Sequence, residues 1–223
     1  MARYLLVPGA CHGAWNLEPL AGGLEESGHR AEAVTLAGLE HVPGSVGTIN
    51  LDTHIDQLTA HLQEMDGPAV LVGHSYAGSV ITGVADRLPE RVAGLLYVDA
   101  FVPSDGESCW SMTNDEQRQW YTEGSGRTGI AVDPMPFFDE RAVPHPLGTL
   151  MQRSRLTGAN EQVERRIYLA AVGSPWIEHS PFVGTADRLR TDPAWSVVDI
   201  DCSHNVMATA PDDLLRLALS MAR

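Results

Sequence analysis

The sequence predicts an α/β fold: a mostly parallel sheet of about six strands, helices on both faces and a small helical cap inserted after the fourth strand. Three observations predict it. Short apolar runs of strand length alternate with amphipathic stretches at helical spacing, the pattern of a parallel sheet covered on both sides. The alternation lapses between about residues 103 and 164 and then resumes. The third apolar run ends in Gly73-His74-Ser75, where a strand must turn sharply into a helix.

The elements follow in order. Residues 4–7 read as a strand, 17–27 as a helix closed by Gly28, and 31–36 as a second strand. Over 52–65, Ile55, Leu58 and Leu62 fall on one helical face. Residues 69–72 form a short buried strand, 75–88 a helix rich in small residues, and 92–98 the fourth strand, with Pro103 after it. The segment 103–164 is rich in Gly, Pro and polar residues and carries one expected helix near 114–122. A strand over 166–172, a helix over 184–190 and a strand over 195–200 restore the alternation. Residues 211–221 close the chain as a helix with proline in its first turn.

At 223 residues the chain fits one domain, expected to span 1–223 with the cap at 103–164. Its apolar and charged fractions, 43% and 20%, are those of a globular protein. A formal net charge of −14 argues against nucleic acid and against anionic lipid, both of which need cationic partners. Cys11, Cys109 and Cys202 are too few and too scattered for a disulfide framework. The first apolar run is too short for a signal peptide, and nothing approaches the roughly 18 apolar residues of a membrane span. The reading is therefore cytoplasmic. The partner expected is a small-molecule substrate, with a homodimer left open and neither nucleic acid nor membrane.

The chemistry is densest at Val72-Gly73-His74-Ser75-Tyr76-Ala77-Gly78. A strand, a tight turn bearing a serine, and a helix form the context of a nucleophile elbow. Small neighbours relieve the crowding there, although Ala77 stands where the motif usually has glycine. Ser75 would sit at a helix start, where the dipole favours developing negative charge. An oxyanion needs two backbone N–H groups aimed at one point. Tyr76, after the nucleophile, offers one, and Ala10, in the loop after the first strand, offers the other.

A serine hydroxyl needs a base. Of nine histidines, His204 follows the last strand and emerges at the sheet edge where sites form in open parallel sheets. His29, His41, His54 and His61 read as surface residues. His12 reads as lining the site and His74 as packing within the elbow. The base in turn needs a carboxylate. Asp99 ends the strand that should neighbour the nucleophile strand, about 4.8 Å away. Glu178, the sole carboxylate in the loop after the next strand, is the second choice; Asp199 and Asp201 are further alternatives.

Val7-Pro8-Gly9-Ala10-Cys11-His12-Gly13-Ala14-Trp15, Gly28-His29 and Leu36-Ala37-Gly38 resemble the opening of the plant methyl-ester esterase and hydroxynitrile lyase group of α/β-hydrolases. Leu51-Asp52-Thr53-His54-Ile55, Gly73-His74-Ser75-Tyr76 and Asp99-Ala100-Phe101-Val102-Pro103 look more like bacterial relatives of that group. The resemblance covers nearly the whole chain. It implies the α/β-hydrolase fold, a helical cap, a Ser-His-acid triad with Ser75 and His204, oxyanion donors at Ala10 and Tyr76, and no cofactor or metal. Three positions depart from the plant pattern. Pro8 replaces a histidine. Ser174 falls near the plant acid, which favours Asp99 in that role. Asn205 replaces the lysine with which the lyases handle cyanide, so cyanohydrin cleavage is not expected.

The expected activity is hydrolysis of a carboxylic ester or lactone of a small apolar or aromatic molecule through an acyl-enzyme. Trp110, Trp120 and Trp176, with Tyr121, Phe137, Phe138 and Phe182, are expected to line the pocket. The alternatives are lyase or cyclase chemistry on the same fold, or a ligand-binding protein with little turnover.

Overall fold

The computed structural model describes residues 1–40 and 46–222. In chain order its strands are β1 (Arg3–Val7), β2 (Arg30–Ala33), β3 (Ala69–His74), β4 (Val92–Val98), β5 (Ala131–Val132), β6 (His145–Pro146), β7 (Arg166–Ala171) and β8 (Ser196–Ile200). The α-helices are α1 (Glu18–Glu26), α2 (Leu51–Glu64), α3 (Ala77–Arg87), α4 (Cys109–Met112), α5 (Asp115–Ser125), α6 (Leu147–Met151), α7 (Trp176–His179), α8 (Val183–Arg190), α9 (Val206–Thr209) and α10 (Pro211–Ser220).

Six strands form one parallel sheet in the order β2-β1-β3-β4-β7-β8. The order reverses direction beside β1 and β3, and ligands gather at such switch points, at the carboxyl ends of the strands. Side chains alternate across each strand, and two cores result. Leu5, Val7, Leu71 and Leu95 pack on one face with Ile55, Leu58 and Leu62 of α2 and Val80, Ile81 and Val84 of α3. Tyr4, Leu6, Val70, Val72 and Leu96 pack on the other with Leu20 and Leu24 of α1 and Leu214 and Ala218 of α10. The central strands are buried on both faces, which is why they read as unbroken apolar runs.

Some boundaries moved for local reasons. The second strand ends at Ala33, after which Val34 N–H makes one last bond to Leu6 C=O and the chain leaves the sheet. The third continues to His74, and the helix behind it starts at Ala77 because Ser75 itself is not helical. The segment between β4 and β7 holds more than the one expected helix. Besides α5 it carries α4, α6 and the two-residue antiparallel ladder of β5 and β6. Among the described residues no helix is long and apolar enough to cross a membrane.

Candidate active site

Ser75 follows β3 with φ of 54°, in the left-handed region that a residue with a Cβ adopts only under constraint. The constraint comes from β4 and the loop behind it: Ser75 N–H donates to Val98 C=O at 3.2 Å, and Phe101 N–H donates to Ser75 C=O at 3.1 Å. Crowding dictates the glycines. A Cβ on Gly73 would sit 3.0 Å from Ala77 C=O, and one on Gly78 only 2.0 Å from Phe101 C=O. The position where close approach forbids a side chain is thus Gly78, and Ala77 fits where the motif usually has glycine. A Cβ on Gly9 would meet His74 Nδ1 at 2.8 Å and Ser75 Cβ at 3.0 Å, so the loop after β1 closes directly on the elbow.

Asp99 is 2% exposed and also has positive φ, 43°. Its carboxylate is filled by donors. Oδ2 accepts from His204 Nδ1 at 2.7 Å and from Trp176 Nε1 at 2.9 Å, and Oδ1 accepts from Ala171 N–H at 3.3 Å. Because the carboxylate accepts, His204 Nδ1 carries a proton, and in the neutral ring Nε2 is left as the acceptor. The His204 ring stacks on Trp176 at 4.6 Å and on Phe182 at 5.4 Å, and lies 4.6 Å from His74. His74 Nε2 bonds His204 C=O at 3.0 Å. Burial, then the nearby His204, pushes the His74 pKa well below the imidazole range, which keeps that bond between neutral partners. The other candidate acids lie elsewhere. Glu178 is exposed and takes the Ser174 hydroxyl at 3.2 Å, Asp199 pairs with Arg190, and Asp201 is exposed.

Ser75, His204, Ala10, His12, His74, Trp120 and Trp176 all line one cavity of about 500 Å³. Its wall is completed by Trp15, Met135, Phe137, Phe138, Asp139 and Arg141, so much of it comes from the segment between β4 and β7. Arg141 lies over the Trp15 ring at 4.0 Å and is ion-paired to Asp139. The His12 ring sits 5.2 Å from Trp15 and 5.1 Å from Phe138. Burial lowers its pKa, and its Nδ1 bonds Ala10 C=O at 2.7 Å. The N–H groups of Ala10 and Tyr76 donate to no backbone acceptor among the described residues.

Several expectations need correcting. Trp110 does not line the cavity; it packs against Tyr121 under Arg118. Tyr121 and Phe182 are buried in the core and are likewise absent from the wall. His54 is not a surface residue but fully buried, with both ring nitrogens bonded. His29 and His61 are half-buried, and His41 lies outside the described residues. His145, buried against Tyr76 and Cys11, was not foreseen.

The family model for the alpha/beta hydrolase family matches residues 4–221. The chain belongs to the alpha/beta hydrolase family. Among its relatives is the carbendazim hydrolyzing esterase of Nocardioides sp. (strain SG-4G), 33% identical over 240 aligned positions that cover 96% of this chain and 97% of that one. Methylesterase 1 of Arabidopsis thaliana is 32% identical over 154 positions, 61% of this chain and 57% of its own length. An extracellular alpha/beta-hydrolase from a Paenibacillus species superposes with a TM-score of 0.83 over 99% of both chains at 19% identity, a likeness of fold. With esterases and methylesterases as named relatives, this alpha/beta hydrolase is a carboxylic ester hydrolase.

Proposed function

We propose that the protein cleaves a carboxylic ester or lactone of a small aromatic or apolar molecule through a Ser75-His204-Asp99 triad and an acyl-enzyme. The observation that carries this reading is the 2.7 Å bond between buried Asp99 and His204 Nδ1, beside a cavity that His204 shares with Ser75. His204 Nε2 takes the Ser75 proton as the hydroxyl attacks the ester carbonyl. The Ala10 and Tyr76 N–H groups hold the oxyanion, worth roughly 10²–10³-fold in rate for a single donor. His204 then protonates the leaving alcohol and activates the water that frees the acid. The segment between β4 and β7 acts as the cap, and its aromatic wall suits a flat, apolar acyl part. The relative that hydrolyses carbendazim supports a compact aromatic substrate.

A fluorophosphonate probe and p-nitrophenyl acetate test the reading together. Wild type should be labelled and active, and Ser75→Ala should lose both. Unlabelled but folded wild type would sink it. Aromatic methyl esters, lactones and carbendazim, assayed side by side, then rank the acyl group.

A further inference from the structure

The loop after β1 is pinned by groups whose protons can be assigned one by one. His12 N–H donates to Gly9 C=O at 3.3 Å. In a trans peptide the C=O and N–H point opposite ways, so this bond directs the Ala10 N–H the opposite way within the same peptide plane. In the next peptide, Ala10 C=O takes the proton of His12 Nδ1 at 2.7 Å, and Cys11 N–H donates to His145 Nδ1 at 3.2 Å. A backbone N–H can only donate, so His145 Nδ1 is a bare acceptor and its proton sits on Nε2. That proton meets Thr149 Oγ1 at 2.8 Å, and Thr149 passes its own to Pro146 C=O at 2.8 Å.

Cys11 is held from both sides. Its C=O accepts from Val143 N–H at 3.0 Å while its N–H is taken by His145. Both partners belong to the cap. Cys11 has φ of 68°, a strained conformation in a residue other than glycine that persists only where neighbours impose it. His145 is fully buried, and burial pushes its pKa well below the imidazole range, so the ring stays neutral and the proton order holds. The His145 ring also packs edge-on against Tyr76 at 4.6 Å, whose hydroxyl bonds His54 Nδ1 at 2.8 Å.

We propose that His145 is a positioning residue: reaching from the cap, it takes the Cys11 N–H, fixes the peptide that follows Ala10 and so holds the Gly9–His12 turn that directs the Ala10 N–H in the site. The proposal rests on the reading in which Ala10 holds the oxyanion. It makes the cap part of the catalytic geometry as well as a wall of the pocket.

Two substitutions separate positioning from mere packing. His145→Leu keeps bulk and removes the acceptor; His145→Asn places an amide oxygen where Nδ1 stood. His145→Leu should lower kcat on p-nitrophenyl acetate about 10–100-fold with KM within about twofold, since an oxyanion donor acts mainly in the transition state. It should weaken a trifluoromethyl ketone, which forms an oxyanion on the serine, by a similar factor. His145→Asn should recover kcat to within about fivefold of wild type. A folded His145→Leu protein with unchanged kcat and unchanged inhibitor affinity overturns the proposal. If His145→Leu does not fold, Thr149→Val, which strips the acceptor from Nε2–H, is assayed the same way, and an unchanged kcat there overturns it too. Ser75→Ala runs in parallel. Turnover surviving in Ser75→Ala refutes the serine mechanism itself, whereas turnover lost there but intact in His145→Leu refutes the positioning role alone.

Discussion

Replacing one oxygen of Asp99 by an amide changes little in shape and reverses one hydrogen bond. Oδ2 accepts from both His204 Nδ1 and Trp176 Nε1, so an NH₂ group in its place would face two donors. To restore a bond, His204 would move its proton to Nε2, and Nε2 could then no longer take a proton from Ser75. Asp99→Asn should therefore lower kcat roughly 10³–10⁴-fold while the protein stays folded. Glu178→Gln should leave kcat near wild type, because Glu178 is exposed and occupied with Ser174. Steady-state kinetics on one p-nitrophenyl ester compare the two, and full activity in Asp99→Asn would remove Asp99 from the mechanism. At the same scale, Trp176 couples the indole N–H to the carboxylate and the indole face to the imidazole, which confines His204 to one plane.

The elbow joins β3 to α3 and brings the helix so close to the chain leaving β4 that one methyl group has no room. Gly78→Ala would place a Cβ 2.0 Å from Phe101 C=O and 2.9 Å from Ala100 Cβ. Backbone must shift, and the strain should cost about 3 kcal/mol or more, read as a lower urea midpoint; a midpoint within error of wild type would show that the helix can slide. The doubly covered sheet was legible in the sequence because its central strands are buried on both sides and read as apolar blocks. Within the segment between β4 and β7 only α5 was legible, because β5, β6, α4 and α6 are each two to five residues long, shorter than the window in which a helical or strand period shows. The meeting of Asp99 with His204 could be anticipated because Asp99 directly follows β4, the strand beside β3. Trp110 was misplaced because an aromatic residue in an irregular segment looks the same whether it faces the core or the cavity. His54 carried a signal that was passed over. It stands with Leu51, Ile55, Leu58 and Leu62 on the buried face of α2. His145 had none, since its partner Cys11 is 134 residues away.

Across the whole molecule, buried neutral histidines tie stability to pH. His54 sits on the core face of α2, His74 in the elbow and His145 in β6, and burial lowers the pKa of each, to about 4 for His54. In the unfolded chain each titrates near 6.5. Above that pH both states are neutral and the histidines add no pH dependence. Below it the unfolded chain binds protons that the folded one refuses, so stability falls as pH falls. His54 alone should cost about 1.4 kcal/mol by pH 5.5 and about 3 kcal/mol by pH 4; His74 and His145 act in the same direction. The net charge of −14 works against this, since added protons relieve self-repulsion. Carboxylates held low, such as Asp139 hydrogen-bonded to Arg141, lose their contribution as pH falls through the carboxylate range and below, under this window. With total stabilities commonly about 5–15 kcal/mol, the histidine contribution is large enough to see. Urea midpoints should be flat from pH 8 to about 7 and drop clearly by pH 5.5, with the slope reduced in His54→Asn, which keeps an acceptor for Tyr76 and cannot be protonated there. A slope unchanged in His54→Asn would mean that the His54 ring accepts a proton without leaving its site.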